Sequence, residues 1–489
     1  MMPTRSYGHA KRRRHVRYGE LALPLPTLME GILLLMMLAM VLLLGNLLSL
    51  RVVSQTRQNV ARTLWDLADA RAVEPRGIVL PLFDGVALMG MSLVMDLRAL
   101  HADLPIEVPH CGDLSAHFRD ELEQNEEWNV RVYDVCVEAA QAAEHSTFGT
   151  PKPLFCDSLE HCHERFRNFD IKILALLFSR FREVMMLDAD VLFFQDPTLL
   201  WDLDKYHQTG TLFFHDRISF TDEFLAERIK GKPERSRLHE FIERFDRTPF
   251  QVLAAVPRPT ESAQDAMAHG HQQPRAALLR DSTKYAPSEF LRQSHSWNLR
   301  AGHQSDSSVL LWNKHKQPRA TAILASFVTL RHSFRPPSYG DKEFYFLACE
   351  VAESDYSFSD YGVGSIGWDA KHDESMLCGD ALHFFPVRGD KVKTDDDVSP
   401  FYINSDHIAS WNPDKENLYR SNARLAEFYP GSFVDKNVPQ ECPFDVQLIP
   451  LTSREEDRFR ERQDLYREVE EWQRQHIATK HKEQHDERL

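Results

Sequence analysis

The sequence predicts an α/β fold, a mainly parallel central sheet flanked by helices on both faces, and three observations carry the expectation. From residue 76 onward, short apolar runs alternate with stretches whose apolar residues recur at helical spacing. Strand and helix in alternation argue for parallel strands joined by crossovers. The run Val184-Met185-Met186-Leu187 then delivers Asp188-Ala189-Asp190 at its end, where ligands of such sheets gather.

The elements follow in order. Gly77 to Leu82 reads as the first strand, Asp84 to His101 as a helix through Leu88, Met91, Met95 and Leu100, and Leu104 to Val108 as the second strand. Leu114 to Gln124 is a helix and Val130 to Val135 a third strand. An amphipathic helix over Phe166 to Phe181 leads directly into the strand bearing the aspartates. Thr211 to Phe214 is another strand, ending at His215-Asp216-Arg217, and a charged helical stretch reaches about Arg247. Residues 255–296, rich in Pro, Gln, His, Ser and Ala, read as a mobile insertion or flap, or equally as a loop without a role. Ser307 to Trp312 is a strand and Lys314 to Arg331 a helix. Gly340-Asp341-Lys342-Glu343 opens a further helix, and Ala381 to Phe385 is a short strand with His383 inside it. From about Arg454 the chain is nearly all charged, which predicts a solvated or weakly associating helix.

The N-terminus separates into two regimes. Arg5, Lys11, Arg12, Arg13, Arg14 and Arg17 precede an apolar stretch from Gly31 to Leu50, interrupted only by Asn46 and Ser49. At about 1.5 Å per residue this matches a hydrocarbon core of about 30 Å, with the basic flank staying cytosolic. The predicted organisation is a cytosolic tail over 1–30, a type II signal anchor over 31–50, a stem over 51–75, a catalytic domain over 76–450 and a charged helix or tail over 451–489. A cleaved signal peptide is the competing reading, but no convincing small-x-small site follows the apolar stretch. The anchor places everything beyond it in the secretory lumen or outside the cell, where disulfides form. Of seven cysteines, Cys156 and Cys162 are the easiest local pair, and the odd count leaves at least one thiol unpaired or intermolecular. His161 and His163 beside Cys162 offer a metal site, although a loop stapled by a disulfide explains them as well.

Composition bounds the function. The chain has 489 residues, is 43% hydrophobic and 27% charged, and carries a formal charge of −15 that is spread rather than clustered. That is globular, and outside the short basic N-terminus it offers no nucleic-acid surface. Asp188 and Asp190 are two apart, so on an extended backbone both carboxylates project to one face. Hard cations such as Mn²⁺ or Mg²⁺ take carboxylate oxygens and complete their shells with water and substrate phosphate. An Asp-x-Asp after a strand is also an ordinary turn, but the apolar runs on both sides are costly surroundings for idle charges.

These stretches, in this order, resemble the fungal Golgi α-1,3-mannosyltransferases, glycosyltransferase family seventy-one, whose catalytic domain is a nucleotide-sugar-binding GT-A fold. The resemblance rests on Gly77-Ile78-Val79, Leu104 to Glu107, Lys172 to Pro197 with its Leu-Asp-Ala-Asp-Val core, Phe213 to Arg217, Gln304 to Lys314, Gly340 to Glu343 and Cys378-Gly379 through His383-Phe384. It implies a Golgi membrane enzyme that moves mannose from GDP-mannose to a glycan or glycoprotein acceptor with retention. It implies that Asp188 and Asp190 bind Mn²⁺ or Mg²⁺ against the donor diphosphate, with His383 as third ligand. Lys172, Arg217 and Lys391 then belong to the donor side, Asp306 to the sugar, and Asp341, ahead of Glu343, to catalysis. Carboxylates opening a helix also complement its dipole, so Asp341 and Glu343 have a structural alternative. Ser307-Ser308 departs from the Ser-Gly step usual in the family, and the insertion at 255–296 lies outside its core pattern; both bear on acceptor choice. No nucleophile is assigned. The competing functions are a UDP-sugar transferase, a haloacid-dehalogenase-type phosphatase with Asp188 as nucleophile, and a noncatalytic secretory protein.

Overall fold

A computed structural model describes residues 28–144, 151–218, 223–258, 285–330, 334–370, 373–388, 398–410, 418–426 and 447–486. The chain divides into two units, Met1–Thr56 and Arg57–Leu489. Helix α1, Leu28–Arg71, supplies the described part of the first unit, where Leu35, Met36, Met37, Met40, Val41, Leu42 and Leu43 are exposed. Among the described residues no helix is long and apolar enough to cross a membrane.

In the second unit, a six-stranded sheet is built from β1 (Glu74–Val79), β2 (Ile106–His110), β3 (Val130–Asp134), β4 (Phe181–Leu187), β6 (Thr211–His215) and β7 (Ser305–Asn313), β5 belonging to a second sheet. Its order is β3-β2-β1-β4-β7-β6. β3, β2, β1 and β4 are parallel, whereas β7 runs antiparallel to both β4 and β6. The sheet is therefore mainly parallel as expected, with five of its six strands running one way and β7 alone reversed. Side chains alternate between its faces: Val184, Met186, Leu310 and Trp312 enter one core cluster, Met185, Leu187, Val309 and Leu311 the other. Burying each such side chain is worth about 1.5–3 kcal/mol, so a shift of one residue in β4 would exchange its two faces at large cost. Gly77 permits the closest approach in β1, because a Cβ there would stand 2.3 Å from the Phe181 ring.

The second sheet is the main departure from expectation. β5 (Val191–Phe193), β8 (Gly364–Ala370), β9 (Asp373–Phe384), β10 (Pro400–Asn404), β11 (Tyr419–Ser421) and β12 (Leu448–Pro450) pair in the order β12-β11-β8-β9-β10-β5, all antiparallel. Leu192, Ile366, Leu382, Phe384 and Ile403 form its core.

Several helices also differ. The helix expected over Asp84 to His101 is α2 (Ala87–Ala99), but Phe166 to Phe181 is not one helix: Phe166 ends α3 (Leu159–Phe166), and only α4 (Ile171–Phe178) lies between it and β4. Asn168 breaks it: its amide donates to the Arg165 carbonyl at 2.8 Å and its side-chain oxygen accepts from the Asp170 N–H at 2.8 Å, competing with the helical ladder. The helix expected from Lys314 starts at Pro318, whose missing N–H suits a first turn. The expected stem is packed from Ala61, with Leu64 and Ala68 also fully buried. The C-terminal helix α5, Ser453–Asp486, is not solvated along its length. Arg458 pairs with buried Asp96 at 2.7 Å, Arg462 is fully buried and donates to the Met89 carbonyl at 3.0 Å, and Phe459 and Val469 join the core. Its charge run hid a face whose cations have partners inside the protein.

Cys156 pairs with Cys162 and Cys111 with Cys136, while Cys349 is buried and free. Most of the 255–296 insertion lies outside the described residues. Its described ends converge on buried Glu350, which accepts from Arg258 at 3.1 Å, the Ser288 N–H at 2.8 Å and the Tyr285 hydroxyl.

Candidate active site

The aspartates sit where the chain leaves one sheet for the other. Leu187 is the last residue of β4 paired with β7, opposite Val309, and the Asp188 N–H still donates to the Ser308 carbonyl at 2.8 Å. Three residues later Val191 opens β5, and the Ser405 N–H donates to the Asp190 carbonyl at 2.9 Å. Both ends of Asp188-Ala189-Asp190 are thus clamped by backbone bonds. The stretch lies on the wall of a cavity of about 670 Å³, together with Lys172, Asp406 and the Pro81–Met89 segment after β1.

Helix α4 brings Lys172 into this wall, almost wholly buried. Its Nζ lies 2.6 Å from Asp188 Oδ1, 3.6 Å from Asp341 Oδ1 and 3.5 Å from Ser307 Oγ. Ser307 Oγ donates to Asp341 Oδ1 at 3.4 Å and the Tyr345 hydroxyl to Asp341 Oδ2 at 2.9 Å. Burial alone would strip the lysine of its proton, but the carboxylates of Asp188 and Asp341 outweigh it and hold the ammonium charged above its ordinary range. Burial pushes the Asp341 carboxyl up, against the pull of Lys172.

Asp190 is less well provided for. Its Oδ1 is buried without a hydrogen-bond partner, and burial, with the charges of Asp188 and Asp406 beside it, raises its pKa to about 8. An orphaned carboxylate oxygen on a residue of a cavity wall fits a hard cation, because coordination supplies both the missing partner and the missing charge. Asp188 and Asp190 would hold such an ion.

Other candidates assemble elsewhere. Asp306 and Arg217 line a second cavity of about 420 Å³, with Asp216, Lys342, Glu223, His303 and Asn404. Lys342 Nζ donates to Asp216 Oδ2 at 2.6 Å. Asp306 Oδ1 accepts the Ser308 N–H at 2.6 Å, and its Oδ2 lies 3.0 Å from His383 Nε2. Burial raises this carboxyl, but the hydrogen bond with His383, the positive charge of Lys342 and a hydrogen bond with Ser308 outweigh it and hold it far below the usual range.

His383 therefore requires a correction. The ligand trio of Asp188, Asp190 and His383 does not come together: β9 pairs with β10 so that His383 stands opposite Tyr402, stacks on that ring at 4.3 Å and turns its Nε2 to Asp306. Among the described residues the one group of three ligand atoms within 4.8 Å is Cys111, Asp134 and His163, and Cys111 is already bonded to Cys136. Glu343 is also displaced from its expected role. It is fully buried, lines neither cavity, and accepts the Gln304 N–H at 3.1 Å and a contact from His303 at 3.3 Å. Asp341 and Glu343 precede the helix Phe344–Val351 rather than open it. Lys391 lies outside the described residues.

Sequence reasoning missed Lys342 and Asp406. Lys342 stands between the two carboxylates singled out, a signal that was legible; Asp406, alone in a loop after β10, offered none.

With this geometry in place, the likenesses to other proteins are informative. A family model described as "Mannosyltransferase putative" matches residues 75–385. "Putative alpha-1,3-mannosyltransferase MNN14" of Candida albicans is 26% identical over 60% of this chain and 36% of its own length. "Probable alpha-1,3-mannosyltransferase MNT4" of Saccharomyces cerevisiae is 23% identical over 64% of this chain and 48% of its length. "Alpha-1,3-mannosyltransferase MNT2" of the same yeast is 22% identical over 71% and 55%. The matches span only about a third to a half of these relatives.

Proposed function

This chain belongs to the mannosyltransferase family, and on that premise we propose that it transfers a mannosyl group from GDP-mannose to a glycan acceptor, with a GT-A arrangement of its two sheets. The observation that carries the reading is the orphaned Oδ1 of Asp190, a residue of the cavity wall two positions after Asp188 at the carboxyl end of β4.

In this reading the larger cavity takes the nucleoside diphosphate. Mn²⁺ or Mg²⁺ held by Asp188 and Asp190 would neutralise the diphosphate as it leaves. Lys172 fixes Asp188 and Asp341 as one unit, so the carboxylate on the diphosphate side and the one beyond it keep a constant spacing. As the anomeric C1–O bond to the diphosphate breaks, the acceptor oxygen bonds to C1 and its proton passes to the departing phosphate oxygen. Orientation and electrostatics then suffice, and the front-side course retains configuration. The disulfides suit an oxidising compartment; an anchor over 31–50, the reading of the apolar sequence there, would put the globule in the Golgi lumen.

A calorimetric panel on a fragment from about residue 55, with Mn²⁺ present, tests the reading. GDP-mannose is expected to bind more tightly than UDP-glucose, UDP-galactose or UDP-N-acetylglucosamine. Tighter binding of any UDP-sugar would replace the mannosyl donor, and a phosphoaspartate trapped on Asp188 would replace the transfer reaction by phosphatase chemistry.

A further inference from the structure

We propose that the second cavity is the acceptor subsite and that it takes a neutral pyranoside laid against an aromatic rail; the inference rests on the transferase reading. Two independent features converge there.

The first is charge that has already been spent. Three carboxylates, Asp216, Glu223 and Asp306, face two cations, Arg217 and Lys342, across about 420 Å³. The two most buried carboxylates are partnered from within, Asp216 by the Lys342 ammonium at 2.6 Å and Asp306 by hydrogen bonds with His383 Nε2 at 3.0 Å and the Ser308 N–H at 2.6 Å. Such a wall presents polarised hydrogen-bonding groups without demanding a counter-ion, which suits hydroxyls and disfavours a further formal charge.

The second is a line of rings. Phe169 lies on the wall of the larger cavity and is 48% exposed, and Tyr339, 53% exposed, stands 5.7 Å from it at the rim of the second cavity. Phe224 follows at 5.7 Å and His303 at 4.7 Å from Phe224. Two features of the backbone hold the line in place. Gly340 has φ +61° and packs so closely on Phe169 that a Cβ would lie 2.7 Å from the ring. Phe224 has φ +47°, a left-handed conformation that a bulky residue adopts only when its surroundings impose it. The C–H face of a pyranose is apolar and slightly positive, and it stacks on the negative face of an aromatic ring. A rail that begins at one cavity and ends in the other brings the acceptor hydroxyl to the border where Asp306 and Asp341 approach the aspartate pair through Ser307, Ser308 and Lys172.

The test uses Tyr339→Ala and Phe224→Ala, with Tyr339→Phe as the conservative control, in the full-length protein with Mn²⁺. The acceptor KM for mannobiose should rise about tenfold in each alanine variant, the loss of one stacking contact, while Tyr339→Phe stays near wild type and GDP affinity is unchanged by calorimetry. Saturation-transfer NMR on the wild type should place the mannobiose ring protons against an aromatic side chain, and this contact should be lost in Tyr339→Ala. Equal loss of GDP and mannobiose affinity would make the cavity part of the donor site and overturn the assignment. An unchanged acceptor KM would overturn it as well, and so would tighter binding of a uronate-bearing disaccharide. A wild type that contacts mannobiose yet binds no nucleotide sugar would sink the transfer reading while leaving the sugar subsite standing.

Discussion

The two cavities are built from the same kinds of side chain and finished differently. Around the larger one, Asp84, Asp113, Asp188, Asp190 and Asp406 face only Arg167 and Lys172, and one oxygen of Asp190 is buried with no partner. Around the smaller one, Asp216 and Asp306 each have a cationic or hydrogen-bonding partner within 3.0 Å. An unpaired buried carboxylate is costly unless something else completes it. On the proposed reading, the larger cavity would take a cation with its anionic ligand and the smaller one uncharged hydroxyls.

The strongest way to break the contrast is to remove the incomplete carboxylate. Asp190→Asn should lower transfer by about 10²–10³-fold, the scale of losing one electrostatic stabiliser of a departing charge, while the fold persists by circular dichroism. Next in size is Lys172→Met. It leaves Asp188 and Asp341 without their shared cation, and urea unfolding should show a loss of about 3–5 kcal/mol. Lys172→Arg cannot reproduce the compact ammonium between two carboxylates and should recover only part of it.

His383→Gln sharpens the same comparison with a smaller effect. If the histidine serves Asp306 alone, Mn²⁺ affinity should change by less than about twofold while stability falls; metal ligation by His383 would instead cost roughly 10-fold or more in affinity. The smallest effect is a pH slope. Burial and the neighbouring carboxylates raise the folded Asp190 pKa from an ordinary 3.8 to about 8, so between those values the native state binds more protons than the unfolded state. Metal-free stability attributable to this group is therefore present at acid pH and is lost as pH rises toward 8. Thermal melts of wild type and Asp190→Asn should diverge in that direction, the asparagine variant becoming the relatively more stable protein at the alkaline end.

How much of this was legible beforehand follows from the range of the interactions. Asp188 and Asp190 were readable because everything that places them is local: an apolar strand, a carboxylate period of two and a small residue between. The series of β1, β2 and β3 with their helices was readable for the same reason. The antiparallel sheet was not, since β5 pairs with β10 more than two hundred residues away (Val191 with Asn404), and nothing in three residues announces that partner. His383 was found as a histidine in a strand, but its partner Asp306 depends on the register of β9 against β10. Arg458 and Arg462 read as a solvated charge run because Asp96 and the Met89 carbonyl, which satisfy them, lie some 360 residues earlier.

On the proposed reading, the unfinished carboxylate of Asp190 would complete a metal site against a nucleoside diphosphate. Electron paramagnetic resonance of Mn²⁺ titrated into the metal-free protein with GDP tests it directly. The account predicts a bound-Mn²⁺ signal that GDP strengthens in the wild type and that vanishes in Asp190→Asn. Equal Mn²⁺ binding by the two proteins, with or without GDP, would contradict it.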